Sequence, residues 1–448
     1  THSDLSLMDD PLGESMAYQG VTTQVTGNCS YSPFPMGRLT PTEMRKVTGE
    51  IFETNQDWRW DTMAQWADIM ESQGISLNIA PQVGNTPLRA AVGALEDRPA
   101  TPDELREMKL LLAETMEMGA FSLTTGLSLS PSGYATTEEI IELSKVAASY
   151  GGFYATHARF LPGWHVKMIE EAVAVGEGAN IPVQFSHMAI VDRRYYGHGP
   201  EMVAVIDGAR TKGIDIVFDM YPYTAAGAGL DQMIPLWAHS GGLDEFLERS
   251  KDSNQRSKIR EEVKEGRGGL PPKWETVILS SSNNDKNKQL IGMSIIEIAQ
   301  KRKIDPAETV LQLVEQEKLD LDLPVASYWP EFEQGGQESI PVRYLFCHKS
   351  GLCGVRKRLD QGAFCDWDLI CSALASQEPL WEPGTAHGYH AITYGHLVGE
   401  VLRRIDGRTI GKYFKEEIAD PLDLDFWIGL PDSEFSRVTE LNPSKPGP

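Results

Sequence analysis

The first two-thirds of this sequence predict an α/β fold of the parallel (β/α)8-barrel type, and three observations carry that prediction. Seven short β-rich runs recur along the chain, amphipathic helical patterns fill the gaps between them, and four of the runs are followed closely by a Cys, a His or an Asp.

The runs are, in order, "GVTTQVTG", "ISLNIAPQVG", "AFSLTTGL", "GFYATHARF", "IPVQFSHM", "IDIVFDMYPYT" and "ETVILSSS". They read as near-continuous apolar stretches, the pattern of strands buried on both faces, hence of a parallel sheet covered by helices. The segments between them include "TPDELREMKLLLAETMEMG" and "TTEEIIELSKVAASYGG". Each opens with a Thr N-cap and an acidic first turn and closes at Gly, which marks a helix start and stop. Repeated units of this kind build a TIM-type barrel, whose chemistry sits at the C-terminal ends of its strands.

The polar residues fall where such a site requires them. Cys29 follows "VTTQVTGN", His157 follows "GFYAT", His187 follows "PVQFS" and Asp219 follows "IDIVF". Singly, each has an ordinary alternative: a buried Cys packs as a small hydrophobe, and a strand-end His hydrogen-bonds a loop. Together they form a set of soft and borderline donors suited to zinc. His2, in "THSD", precedes "GVTTQVTG" by about one crossover helix and is expected at the end of the barrel's first strand, the rest of which would lie upstream of Thr1.

With 448 residues, 41% of them apolar, the chain has room for two or three packed domains. Its formal net charge of −23 repels nucleic acid and anionic membrane surfaces. No apolar run is long enough to cross a bilayer and no signal-peptide pattern stands at the start. Five cysteines, an odd number, fit a reducing compartment and a cytoplasmic location better than a disulfide framework. Four of them (Cys347, Cys353, Cys365, Cys371) come after position 340, where the strand–helix alternation also ends.

From Thr1 to about Asp322 the chain resembles the N-acyl-D-amino-acid deacylases (D-aminoacylases) of the amidohydrolase superfamily. The residues that carry the resemblance are "THSD", "GVTTQVTGNCSYSPFP", "NIAPQVGNTPLRAAVG", "RPATPDELREMKLLLAETMEMGAFSLTTGL", "YATHARF", "VQFSHM" and "DMYPYTAAG". The resemblance implies a Zn2+ barrel that hydrolyses the amide of a small-molecule substrate, an N-acyl-D-amino acid, to a carboxylate and a D-amino acid. It assigns Cys29, His157 and His187 to the zinc and makes His2 the second His of a strand-one pair. The family's general base is an Asp in a Ser-Asp-Gly context on its last barrel strand. No Ser-Asp-Gly follows "DPAETVLQLVEQEKLDLDLP", and Ala189 follows "SHM" where many relatives carry a Lys that holds the substrate carboxylate.

After Pro324 the stretches "VASYWPEFEQGGQESIPVRYLFCHKSGL" and "PLWEPGTAHGYHAITYGHLVGEVLRRIDGRTIGKYFKEEIADPLDLDFWIGLP" resemble the serine β-lactamase-like esterases and penicillin-binding-protein relatives. That family uses a Ser-x-x-Lys nucleophile and a Tyr in a Tyr-x-Asn-like motif. The resemblance matches Tyr389 to the catalytic Tyr, with Ala391 in place of Asn, and makes Ser350 of "HKSGL" a loop residue. No Ser-x-x-Lys precedes "VASYWPEF" and no Lys-Thr-Gly strand follows, so Tyr389 and His390 are expected to pack in a helix-start loop. "TYGHLVGEVLRRIDG" has helical apolar spacing and ends at Gly407.

The expectation is therefore an α/β chain: residues 1–323 an incomplete TIM-type metal-dependent hydrolase barrel without its first and last strands, and residues 324–448 a partial β-lactamase/transpeptidase-like α+β segment. Without those strands and the base, catalysis by this chain is not expected. The alternatives are a non-catalytic metal-binding or degenerate fusion product and a weak serine esterase. Open barrel edges predict oligomers or aggregation.

Overall fold

Six of the seven predicted strands form one sheet, all parallel and in chain order: β1 (Thr23–Thr26), β2 (Asn78–Gly84), β3 (Ser122–Gly126), β4 (Phe153–His157), β5 (Val183–Phe185) and β6 (Ile216–Phe218). The computed structural model describes residues 1–48, 52, 58–160, 164–282, 284, 286–317, 324–358, 363, 366–420 and 424–437. It divides into two compact units, Thr1–Gln316 and Glu317–Pro448. The expected boundary at 323/324 touches residues 318–323 and Cys365 is residue 365; both lie outside the described residues.

In the first unit the register runs Gly126↔His157 between β3 and β4 and Thr156↔Phe185 between β4 and β5. Between the strands lie α1 (Asn85–Ala91), α2 (Pro102–Glu117), α3 (Thr137–Ser149), α4 (Trp164–Ala179) and α5 (Gly199–Thr211). The start signals act as read. Thr101 and Glu104 form a reciprocal capping box on α2, and Thr136 accepts from the Glu139 N–H on α3. Leu123, Tyr154, Val183 and Ile216 of the sheet pack with Leu112, Ile140, Ile169, Val175 and Ile206 of the helices in one buried core.

Two expectations need correction. Every residue of β3 is buried, but β1 alternates and β6 is half open, with Val217 47% exposed. These two strands end the order, so among the described residues each has a strand neighbour on one side only. "ETVILSSS" is not a seventh strand: Ile278 makes an isolated antiparallel bridge to Ser294. Its backbone bonds go instead to the turn before the helix Ile295–Arg302, from the Leu279 N–H to the Met293 carbonyl and from the Ile295 N–H to the Val277 carbonyl. Leu279 packs into a separate cluster with Phe246, Ile259, Ile298 and Val310.

The helix α1 is buried throughout, and its Arg89 explains the "NTPLRAAVG" stretch. The guanidinium bonds Glu139 at 2.6 Å and the carbonyls of Ala94 and Arg98 at 3.2 and 2.8 Å. The second Glu139 oxygen accepts from the Ala100 N–H at 2.9 Å. Both charges are thus paired and hydrogen-bonded, the condition under which a buried ion pair is tolerated.

The second unit is helical around its own core of Val325, Trp329, Phe332, Ile370, Leu374, Leu397 and Val401. The segment expected to be a buried helix forms one over Tyr394–Asp406, stopped by Gly407 at φ 83°. Its buried Glu400 accepts from the Trp367 indole at 2.7 Å and pairs with Arg403 and Arg404. No described helix is long and apolar enough to cross a membrane.

Candidate metal centre

Three strand ends in the first unit bring their side chains to one point. Cys29 lies in a turn just after β1, His157 is the last residue of β4, and His187 stands two residues past β5. One donor atom from each, the Cys29 sulfur and an imidazole nitrogen of His157 and His187, lies within 4.8 Å of the other two. Cys29 Sγ is 3.3 Å from His187 Nε2. Two ligands bound to one zinc at ~2.0–2.3 Å with a tetrahedral angle are separated by roughly 3.5 Å, so the donors stand close to the spacing an ion requires. The His157 and His187 rings meet edge to face, 4.8 Å between centroids.

The backbone is bent to achieve this. Cys29 has φ 52°, Ser30 φ 78° and His187 φ 39°, all in the left-handed region that side chains rarely occupy. Such strain persists only where the surroundings enforce it, and it clusters at functional sites. Ser30 is held by Thr86, whose Oγ1 lies 2.9 Å from the Ser30 hydroxyl and whose N–H donates to it at 2.7 Å. Gly84 and Gly126, at the ends of β2 and β3, let the Cys29 turn press against the sheet. A Cβ on Gly84 would sit 2.1 Å from the Ser30 carbonyl oxygen, and one on Gly126 2.5 Å from that of Cys29. Gly126→Ala is therefore expected to push the Cys29 turn outward, weakening zinc binding about tenfold and costing ~1–3 kcal/mol of stability. Metal-competition titration and urea unfolding measure the two effects.

The two imidazoles are held unprotonated, with lone pairs open to a metal ion. His157 Nε2 is buried without a hydrogen-bond partner, an orphan atom of the kind a metal would satisfy. Burial, then the positive charge available to His187 and that of Arg267, pushes the His157 imidazole down to about 3. Burial also lowers His187, against the pull of Asp219. Burial pushes the Cys29 thiol up to about 12. At neutral pH both imidazoles are thus unprotonated ligands, and the proton a metal must displace is the one on sulfur. Zinc affinity is expected to fall about tenfold per unit as pH drops from about 8 to 6, the slope of a single released proton. Calorimetry in buffers of different ionisation enthalpy reads that proton directly.

His2 lies outside the trio. It is surface-exposed, on a segment tied to β1 by the Thr1 nitrogen at 2.7 Å from the Val25 carbonyl and by the Ser3 hydroxyl on Gln24. It is near enough to repel protons from His157 electrostatically. Asp219 is also not among the grouped donors. Its Oδ1 accepts from the His187 N–H at 2.6 Å and its Oδ2 from the Gln184 amide at 2.7 Å, which fixes the strained residue carrying the ligand. Arg267, from the "GRGG" turn, went unnoticed in the sequence. Burial pulls it down to about 10, still charged at neutral pH, and it donates to the carbonyls of Ser128 and Gln232.

In the second unit Tyr389 is 75% exposed, its ring 5.2 Å from that of His348. His390 donates from Nδ1 to the Gly388 carbonyl at 2.6 Å, so Nε2 accepts from the buried Ser350 hydroxyl at 2.9 Å and from the Leu352 N–H at 3.2 Å. Ser350 and His390 brace a loop as expected, whereas Tyr389, expected to pack beside them, lies mostly in solvent.

A Cys–His–His donor set on the C-terminal rim of a parallel sheet wound in chain order suits a catalytic metal held by three protein ligands, at the face where barrel enzymes keep their chemistry. Comparison with known proteins agrees. The chain is 33% identical over 232 residues to the D-aminoacylase of Alcaligenes xylosoxydans xylosoxydans, covering 52% of this chain and 47% of that one. A solved D-aminoacylase, described as having a binuclear metal centre with one-metal activation and second-metal attenuation, aligns with TM-score 0.53 and 26% identity over 70% of this chain and 57% of its own. Residues 307–448 match the Beta-lactamase family model. The esterase/beta-lactamase LipL of Mycobacterium tuberculosis (strain ATCC 25618 / H37Rv) is 33% identical over 137 residues, 30% of this chain and 32% of LipL. About half of the chain is thus homologous to D-aminoacylases and N-acyl-D-amino-acid deacylases, and a β-lactamase-family domain follows. The chain spans about half the length of the curated deacylases it matches.

Proposed function

We propose that the first unit is a zinc-dependent hydrolase of N-acyl-D-amino acids, cleaving the amide bond to a carboxylate and a free D-amino acid. The observation that carries this reading is the approach of the Cys29, His157 and His187 donors to within 4.8 Å of one another at one sheet rim. The three residues fit zinc by chemistry as well as spacing: one thiol sulfur and two neutral imidazoles. A bound zinc would supply a water acidified to a pKa of ~7 and a polarised acyl carbonyl.

The chain's own residues do the rest. His157 and His187 present unprotonated nitrogens, Cys29 gives up its proton on loading, and Asp219 keeps His187 in its strained conformation. His2, on the exposed segment tied to β1, is a further donor on loading. Arg267 is the cation that takes the substrate carboxylate, a role that Ala189 cannot fill. Asp219 spends one hydrogen bond from each oxygen on the His187 backbone and Gln184, so its part is to hold His187.

The test is release of D-methionine from N-acetyl-D-methionine by zinc-loaded chain, with the L isomer as control. The expected result is hydrolysis specific to the D isomer. Its rate should fall below that of full relatives by the ~10²–10⁴ that a positioned general base contributes, because the Ser-Asp-Gly base is not in this sequence. Arg267→Met is expected to raise KM more than it lowers kcat. A chain carrying one equivalent of zinc that releases no more D-methionine than its zinc-free form would overturn the reading.

A further inference from the structure

A second group of metal donors stands apart from the Cys29 centre and shares no residue with it. His165 lies in the first turn of α4, and His198 and Glu201 flank the start of α5, three residues apart in the spacing that puts side chains on one helix face. One ligand atom from each of the three lies within 4.8 Å of the others. The Glu201 carboxylate is divided between two imidazoles: Oε2 is 2.9 Å from His165 Nε2 and Oε1 2.8 Å from His198 Nδ1.

We propose that His165, His198 and Glu201 bind a divalent late first-row transition metal ion of the zinc class. Two imidazoles and one carboxylate are a donor set these ions prefer, whereas calcium and magnesium prefer all-oxygen sites. An ion bound by these rings takes one nitrogen lone pair from each, and the ring N–H that now faces Glu201 moves to the other ring nitrogen. The rings are already oriented. Tyr195 stacks on His165 at 4.1 Å and 26°, and the His198 ring meets Tyr195 edge-on at 5.9 Å. His165 is buried while His198 and Glu201 are exposed, so an ion enters from solvent against a fixed inner ligand. An isolated surface pair of His and Glu contributes little and needs no third partner. Here one carboxylate gathers imidazoles from two different helices, the arrangement of a chelate. An ion bound there ties α4 to α5, the helices that follow β4 and β5.

The experiment is zinc titration of the full chain after stripping with chelator, followed by calorimetry and by metal content after desalting. The unsubstituted chain is expected to show two classes of zinc site. Glu201→Gln and His198→Ala should each weaken the non-thiolate class at least tenfold and leave the other intact, and Cys29→Ser should do the reverse. Cobalt gives a second readout: only the Cys29 class shows thiolate-to-metal charge transfer. His198 and Glu201 are 45% and 54% exposed, so their replacement leaves packing intact, and metal-free melting curves verify this. The proposal is overturned if both variants keep the full isotherm and metal content, or if the non-thiolate class survives in a His198→Ala/Glu201→Gln double variant.

Discussion

Cys29→Ser is expected to weaken zinc binding by at least about a hundredfold, equivalent to ~2.7 kcal/mol, and to lower amide hydrolysis in step with zinc content. The reason is specific to sulfur. A thiol surrenders its proton to zinc near neutral pH, whereas a serine hydroxyl holds its proton too firmly to become a ligand. The substitution changes little else, because Ser is nearly the same size as Cys. Its strained turn is set by Ser30, Thr86 and the two glycines rather than by the sulfur. Competition with a chromophoric chelator measures the affinity, and circular dichroism confirms the fold. Full zinc affinity in the serine variant would move the metal elsewhere and remove the basis of the hydrolase reading.

The second large effect concerns the buried pair of Arg89 and Glu139. Arg89→Met is expected to destabilise the first unit by ~3–5 kcal/mol, because a buried carboxylate loses its counter-charge while the Ala94 and Arg98 carbonyls lose their donor. Adding Glu139→Gln should recover part of the loss, since the amide still accepts from the Ala100 N–H at no charge cost. Urea midpoints for the single and double variants give the coupling. A single variant within ~1 kcal/mol of the parent would mean that the pair is not closed off from water.

How much of this was readable in advance follows from how local each signal is. The strands β1 to β6 and the caps at Thr101 and Thr136 were legible because they depend on residues within a few positions. "ETVILSSS" misled because its β-forming residues satisfy their backbone by pairing with residues 292–295 instead of with β6. Cys29, His157 and His187 were legible as strand-end donors. The work of Asp219 was not, because an Asp at that position reads equally as a ligand or as the holder of one, and only its contacts with the His187 N–H and Gln184 decide. Arg89, Arg267 and His165 were silent for a related reason: their partners lie 50, 139 and 36 residues away in the chain.

The sulfur of Cys29 and the imidazole of His187 are 158 residues apart in sequence. They follow β1 and β5 at one rim of a sheet that orders its strands one after another, so no partial product of folding short of β5 holds the pair. An ion caught between them closes a very long loop, and it does so only after the intervening strands have paid that loop's entropy. A zinc bound there would be a late arrival that locks an assembled sheet, and its removal is expected to speed unfolding more than it slows refolding.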